Sequence, residues 1–174
     1  MATKKSICIW ILFDILIIAA WILGSVTQGG AETIKCRQVQ FITKWESVQV
    51  GDVPDHIVGT FDQTGLASCE SDEVASIKNT GTLDYIKGSG TLQGYTTYTF
   101  EDGSTRATKW QGTTRPDPGG KGSWFEGTWT FIQGTGRFAG IQGEGTFIGR
   151  RFVPFGGGAQ LYSDVTGTYT LPPK

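Results

Sequence analysis

Residues 124–147, W-F-E-G-T-W-T-F-I-Q-G-T-G-R-F-A-G-I-Q-G-E-G-T-F, decide how this chain folds. Every second position in the first half of the segment is aromatic or glycine: Phe125, Gly127, Trp129 and Phe131. Threonine or glutamate occupies the positions between them, which gives the period of two that indicates a half-buried strand. A glycine-rich turn at residues 134–140 follows, and a second alternating run begins at Ile141. The segment therefore predicts two consecutive strands joined by a turn.

The composition is that of one globular domain with an excess of glycine. The chain has 174 residues, of which 38% are hydrophobic and 18% are charged. Its 26 glycines are about twice the usual share of roughly 7%. They lie inside alternating segments, where glycine marks sharp bends at barrel corners or close approach of the backbone. The net charge is −1 without a basic run, which argues against nucleic-acid binding.

The N-terminal segment has the pattern of an export signal. Lys4 and Lys5 precede an almost wholly apolar run at residues 7–24, and small residues occupy positions 29–31. A positively charged start, an apolar stretch and a small-residue cleavage site define a secretory signal. We therefore expect residues 1–31 to direct the rest of the chain out of the cytoplasm.

An uncleaved single-pass anchor is the alternative interpretation of this segment. About 18 apolar residues is the lower limit for a spanning helix. Asp14 within the run is costly at the centre of a membrane, which favours a cleaved signal. We predict a signal or anchor helix at residues 1–31 and an exported domain at residues 32–174, periplasmic or secreted, that touches the membrane only if the segment stays uncleaved.

Three cysteines are present. Cys8 lies in the apolar run, which leaves Cys36 and Cys69 as a pair in a chain bound for an oxidising compartment. We predict a disulfide between them that joins the first strand to the third, and two unpaired thiols are the alternative. A catalytic thiol is disfavoured because the acidic stretch at residues 70–73 raises the pKa of Cys69.

Further strand-like runs follow the export signal, at residues 37–50, 56–63, 66–77, 82–87, 91–100, 105–114 and 160–171. The acidic stretch at residues 70–73 breaks the third of these runs. We predict that four residues of the first run share one face of the sheet: Val39, Phe41, Thr43 and Trp45. Asp102-Gly103 is a strong hairpin signal because it suits a type I′ turn. Short turns of this kind predict that strands adjacent in sequence pair antiparallel.

These runs predict an all-β fold of about eight strands. Eight is the number at which a sheet closes into a barrel whose interior holds side chains or one small ligand. A two-sheet sandwich is the alternative, and the glycines within strands favour the barrel. The predicted fold is an eight-stranded antiparallel up-and-down β-barrel, preceded by the N-terminal signal or anchor helix.

Residues 134–147, G-T-G-R-F-A-G-I-Q-G-E-G-T-F, and residues 167–171, G-T-Y-T-L, resemble bacterial proteins of the allene oxide cyclase-like barrel group. The resemblance spans residues 35–171 and implies a small eight-stranded barrel related in shape to lipocalins. Most of the bacterial members it resembles have no assigned activity. The plant cyclases hold their substrate in an apolar barrel cavity beside a strand-one glutamate. By its order in the chain Glu46 matches that glutamate, although the plant motif around it is absent.

Glu46 and Glu144 are the candidate catalytic residues. Inside a barrel, either would be a base with a shifted pKa or a hydrogen-bond anchor for a ligand. The alternative is that they lie on the solvent face or cap a turn. His56 is the single histidine, which excludes a multi-histidine metal site, and the sequence contains no motif for a metal or a cofactor.

Aromatic residues are numerous enough to line a cavity. The candidate ligand-binding residues are Tyr85, Tyr95, Trp110 and Trp129, with Trp124 as a further aromatic. Aromatic side chains on facing strands also pack against one another without any ligand, which is the alternative.

Three functions remain open from the sequence. The first is an exported barrel that binds a small hydrophobic ligand in its lumen or mouth. The second is an isomerase or cyclase that acts on an apolar substrate in the same cavity. The third is a barrel filled by its own side chains that has a structural or protein-interaction role, with oligomerisation open. A cavity above about 300 Å³ favours the first two.

Overall fold

The computed structural model describes residues 30–156 and 158–173, and the predicted signal or anchor segment up to residue 29 lies outside them. The described chain forms eight strands: β1 (Glu32–Gln49), β2 (His56–Cys69), β3 (Val74–Ile86), β4 (Ser89–Phe100), β5 (Thr105–Pro116), β6 (Ser123–Gly134), β7 (Gln142–Arg151) and β8 (Gln160–Thr170). Each strand pairs antiparallel with the next, and β8 returns to β1, which closes the barrel. The predicted eight-stranded up-and-down barrel is confirmed. Within the two described ranges, no helix is long and apolar enough to cross a membrane.

The predicted third strand is wrong, because residues 66–77 contain a hairpin. β2 ends at Cys69, the chain reverses, and β3 begins at Val74. Cys69 N donates to Glu73 O at 3.0 Å across the reversal, where Asp72 takes a φ of 58°. Aspartate tolerates this left-handed conformation better than most residues. The acidic stretch at residues 70–73 interrupts the run in the sequence, and in the structure this interruption is the turn between two separate strands.

The four residues of β1 predicted to share a face do not all do so. Val39 and Phe41 are 47% and 41% exposed on the outer surface, and Thr43 is exposed too. Trp45 packs against the core instead. The pairing of β1 with β2 shifts register between Ile42 and Lys44, and such an extra residue reverses the side on which the following side chains project.

Glycines face the large aromatic rings inside the barrel. Gly81 pairs with Gly94 on adjacent strands, and the Trp110 ring lies over both. A Cβ atom at Gly94 would stand 2.5 Å from the Trp110 ring, and one at Gly145 would stand 2.6 Å from the Trp129 ring. Real Cβ atoms do not approach so closely, so these strand positions require glycine to let the indole rings lie against the backbone.

One end of the barrel carries the β2–β3, β4–β5 and β6–β7 turns, and we call it the disulfide end. Cys36 and Cys69, directly paired across β1 and β2, form a disulfide there, so the bridge joins the first strand to the second rather than to the third. Arg137 forms ion pairs with Glu73 at 2.5 Å and Asp102 at 3.4 Å. These contacts link all three turns.

The opposite end carries the loops at residues 50–55, 87–88, 117–122 and 152–159, and we call it the Phe155 end. Phe155 from the last of these loops packs over the barrel interior. Its ring centroid lies 4.6 Å from that of Trp45 and 5.2 Å from that of Phe61. The interior is therefore covered at this end by a loop side chain.

Candidate functional site

The structure places the two candidate acids outside the barrel. Glu46 and Glu144 are both exposed on the outer surface, and Glu46 forms an ion pair with Lys44 at 3.2 Å. Tyr95 also faces outward and is 51% exposed. These three side chains therefore do not meet the interior or one another in a single site.

The other three predicted residues lie inside. Tyr85, Trp110 and Trp129 are buried and line one cavity in the lumen. Trp129 Nε1 donates to the backbone carbonyl of Thr146 at 3.2 Å, and Trp110 Nε1 donates to Asn79 Oδ1 at 3.1 Å. Both indoles are thus held in position by a hydrogen bond as well as by packing.

Four amide side chains cross the middle of the lumen: Gln38, Gln40, Gln63 and Asn79. We call this group the amide belt. Gln40 donates to Gln38 at 2.8 Å, and Asn79 donates to Gln63 at 2.7 Å and to Gln40 at 3.2 Å. Gln38 Nε2 in turn donates to the hydroxyl of Tyr98 at 2.6 Å. Because each amide has partners, the belt is a satisfied polar layer within the core.

A cavity of about 70 Å³ extends from the amide belt toward the Phe155 end. Its walls are mainly aromatic and aliphatic: Phe61, Leu92, Phe125, Phe147, Leu161 and Val165. None of the described lining residues is acidic. The volume is several times the roughly 10–15 Å³ that a single water requires, and it is far below the roughly 300 Å³ of a drug-sized pocket.

Arg151 and Tyr85 face this cavity below Phe155. The Arg151 guanidinium lies 4.4 Å from the Phe155 ring centroid, and only its Nε has a hydrogen-bond partner in the described chain, the carbonyl of Val153 at 3.2 Å. The Tyr85 side chain is 2% exposed, and its hydroxyl has no hydrogen-bond partner among the described residues. Two polar groups that normally require partners therefore meet at the roof of the cavity.

Burial dominates the electrostatics of this pair. Loss of hydration raises the pKa of the Tyr85 phenol, and the positive charge of Arg151 opposes that rise. Burial likewise lowers the pKa of Arg151, and proximity to Tyr85 partly restores it. Tyr85 thus stays protonated and can donate a hydrogen bond, while Arg151 carries a poorly hydrated positive charge.

A second buried arginine, Arg106, lies at the disulfide end. Its guanidinium carbon stands 5.0 Å from the ring centroids of Tyr98 and Phe100, 5.5 Å from that of Phe138 and 5.8 Å from that of Phe131. One Nη atom also lies 3.7 and 3.8 Å from the two disulfide sulfur atoms. The void beside it is only about 10 Å³, so no ligand fits there.

A larger depression of about 1150 Å³ lies on the outside of the barrel. It is open to solvent and is lined mostly by outward threonine, glutamine and acidic side chains of β1–β6, with Glu46, Asp84 and Glu126 among them. It lacks the aromatic surface and enclosure that bury a small molecule. Among the residues that the structure describes, no cluster of histidine, cysteine and acidic side chains is arranged to hold a metal.

The sequence interpretation missed Arg151 and the amide belt, and only the arginine pair at residues 150 and 151 leaves a local signal. Arg150 and Arg151 are consecutive in β7, and neighbours in a strand project to opposite sides, so one of them has to face inward. Gln38 and Gln40 alternate with Val39 and Phe41 in the same way. This alternation does not show that the glutamines face inward, because a half-buried strand usually buries its apolar side, so the position of the amide belt depends on the register of the closed barrel.

Comparisons with known proteins agree with the fold. No family profile and no curated protein matches the chain. A solved structure of a conserved protein of unknown function from Rhodopseudomonas palustris aligns over 80% of this chain and 98% of its own, with a TM-score of 0.53 and 11% identity. A pterocarpan synthase dirigent protein aligns over 86% of this chain and 94% of its own, with a TM-score of 0.47 and 16% identity. At such identities, the likeness to the first structure shows that the chain shares a small β-barrel fold.

Proposed function

We propose that this protein is an exported β-barrel that binds one small, largely apolar molecule in its lumen. The observation that carries the proposal is the enclosed Tyr85 hydroxyl, which has no hydrogen-bond partner, beside the buried guanidinium of Arg151, which has no counter-ion in the described chain, at the roof of a cavity with mainly apolar walls. A barrel that is only packed has no need of such groups, because an unpaired buried donor costs free energy that an apolar side chain avoids.

The size of the cavity limits the ligand. About 70 Å³ is below the volume expected for a typical ligand pocket, so the molecule is small, with Phe155 closing over it. The aromatic walls supply apolar contact, and the amide belt supplies a polar floor. Candidate ligand contacts are therefore Tyr85, Trp110 and Trp129, as the sequence predicted, together with Arg151.

We also propose that the barrel domain is exported from the cytoplasm. The N-terminal segment has the features of a cleaved signal, and Cys36 and Cys69 form a disulfide that suits an oxidising compartment. A periplasmic or secreted location follows, or attachment to the membrane through an uncleaved segment. The resemblance to allene oxide cyclase-like barrels supports a ligand in the lumen by analogy only.

A filled barrel with a structural or protein-interaction role is the second candidate, and the small cavity volume favours it. The cyclase alternative has weaker support, because it needs a carboxylate beside the substrate. Glu46 and Glu144 project from the outer surface, and no described acid faces the cavity.

Native mass spectrometry of the protein purified from its own host distinguishes binding from filling. We expect a co-purified mass that survives gentle ionisation. The Leu92→Phe variant, which fills the cavity, is expected to lose this mass, whereas Tyr95→Phe on the outer face is expected to keep it. A bare protein mass, together with no thermal shift from a panel of small apolar compounds, would instead establish the filled barrel.

A further inference from the structure

We propose that the ligand of this lumen is a small monocarboxylic acid, whose carboxylate binds the guanidinium of Arg151 and the hydroxyl of Tyr85. This inference rests on the proposed function and specifies the chemistry of its ligand. It concerns the half of the cavity nearest Phe155, away from the amide belt.

The first argument is the missing counter-ion of Arg151. Arg151 is 6% exposed, and buried charges in proteins are normally paired. None of the ion pairs formed among residues 30–156 and 158–173 includes Arg151. Its Nε is engaged by Val153, which leaves Nη donors for the two oxygens of a carboxylate.

The second argument is the hydroxyl of Tyr85. It is enclosed, it has no partner, and burial keeps it protonated, so it is a donor without an acceptor. Both Tyr85 and Arg151 line the cavity and both pack against Phe155, at a ring distance of 6.2 Å for Tyr85. A carboxylate placed between them would accept hydrogen bonds from both and neutralise the charge.

The third argument concerns the charge and shape of the ligand. One guanidinium compensates one negative charge, so a doubly charged phosphate would leave an excess charge in a poorly hydrated site. The remaining walls, including Phe61, Leu92 and Phe147, are apolar. A single carboxylate on a compact aromatic or short aliphatic body matches this combination.

Arg106 provides an internal comparison. It is as deeply buried as Arg151 and likewise has no ion pair in the described chain, but aromatic rings surround it. Cation–π contact replaces a counter-ion there, and the void of about 10 Å³ admits no acid. Arg151 contacts the single ring of Phe155 and borders open space. Burial of an arginine alone is therefore not the basis of the proposal.

The test uses benzoate and its neutral isostere benzamide, titrated into protein expressed from the full chain, with tryptophan fluorescence and calorimetry as readouts. We expect benzoate to bind about 10- to 100-fold more tightly than benzamide, as a hydrogen-bonded charge requires. Arg151→Met should remove this preference. Tyr85→Phe should weaken benzoate binding severalfold without lowering the melting temperature, because the deleted hydroxyl has no partner in the free protein. Arg106→Met is the matched control and should keep the preference.

The outcomes separate this inference from the proposed function. Equal binding of benzoate and benzamide would overturn the carboxylate assignment while leaving a ligand-binding lumen. Absence of binding by either compound would count against both. If Arg106→Met but not Arg151→Met lost the preference for benzoate over benzamide, the anion would bind at the disulfide end, which would overturn the assignment. If Arg151→Met does not fold, Tyr85→Phe decides: unchanged benzoate affinity in that variant overturns the proposal.

Discussion

Arg106 and Arg151 lie at opposite ends of one barrel, and their surroundings differ. At the disulfide end, four aromatic rings enclose Arg106, a disulfide joins β1 to β2, and Arg137 links three turns. At the Phe155 end, Arg151 borders a cavity of about 70 Å³ beneath a loop. Arginine therefore packs among aromatic rings at the disulfide end, whereas at the Phe155 end it has hydrogen-bond donors without a protein partner.

This difference indicates that one end of the barrel stabilises the fold and the other end carries the cavity. The amide belt separates the two regions, and its hydrogen bonds fix the floor of the cavity. A disulfide and the ion pairs of Arg137 join the turns at the disulfide end, while longer loops form the opposite end around the cavity. Binding sites are commonly carried on loops positioned by a rigid scaffold.

The largest effect is expected from removal of the disulfide. The bridge joins residues separated by 33 positions, so Cys36→Ala with Cys69→Ala should cost about 3–4 kcal/mol of unfolding free energy. Chemical denaturation under oxidising conditions measures the loss. Because the bridge lies away from the cavity, the folded double variant should bind benzoate with the affinity of the parent protein. A large loss of affinity would show that the two ends are coupled.

The next largest effect is the difference in unfolding free energy between variants of the two buried arginines. Arg106→Ala should cost about 2–4 kcal/mol, because it leaves a hole among four rings. Arg151→Ala should cost less, about 1–2 kcal/mol, since its guanidinium already borders empty space. Urea unfolding of both variants tests the order. A larger loss for Arg151→Ala would contradict the assignment of the packed and open ends.

Gly145 tests the layer between the two ends. A Cβ there would press against the backbone carbonyl of Thr166 and against the Trp129 ring, and this ring borders both the cavity and the void beside Arg106. Gly145→Ala should therefore cost about 1–3 kcal/mol and change the tryptophan fluorescence. Gly156→Ala is the control, because a Cβ at that position meets nothing within 4 Å. Equal stability of the two variants would show that the indole is not packed against the strand.

The smallest effect concerns His56 on the rim of the Phe155 end. Its Nδ1 lies 2.5 Å from Asp52 and its Nε2 lies 2.8 Å from Asp84, so the protonated ring donates to both carboxylates. Asp84 and then Asp52 raise the pKa of His56 above its usual value of 6.5. This contribution to stability is complete below pH 6.5 and is lost as the pH rises through the raised pKa.

The melting temperature should therefore fall modestly as the pH is raised from 6 toward 9, and His56→Gln should flatten that part of the curve. The disulfide end contains no histidine, so its hydrogen exchange should not respond over the same range. A pH profile of His56→Gln that matches the parent protein would eliminate the proposed role of this contact.

The barrel itself was predictable because its causes are local. Alternation in residues 124–147 and the turn residues Asp102-Gly103 specify strands and a reversal without reference to distant residues. The predicted type I′ turn is wrong, because that type requires a positive φ at both central residues and only Gly103 has one. The acidic break at residues 70–73 was recognised in the sequence, but it was not interpreted as a hairpin that divides the run into two strands. The bulge after Ile42 was missed because one extra residue changes the face of Trp45 without changing composition.

The candidate site was only partly predictable. Tyr85, Trp110 and Trp129 were recognised as aromatic residues on strands, and they line the cavity. Glu46 was chosen through the family resemblance and Glu144 for its place in the patterned segment at residues 134–147, but both lie on the outer face. The side of a strand that faces inward depends on register around the whole closed barrel, and local sequence does not contain that information.

The most direct test of the central claim is a crystal structure of the protein grown with 4-bromobenzoate, in which the bromine is located by anomalous scattering. The account predicts a bromine peak inside the lumen, with the carboxylate within hydrogen-bond distance of Arg151 and the Tyr85 hydroxyl. Bromine peaks confined to the outer surface, with only water between the amide belt and Phe155, would contradict it.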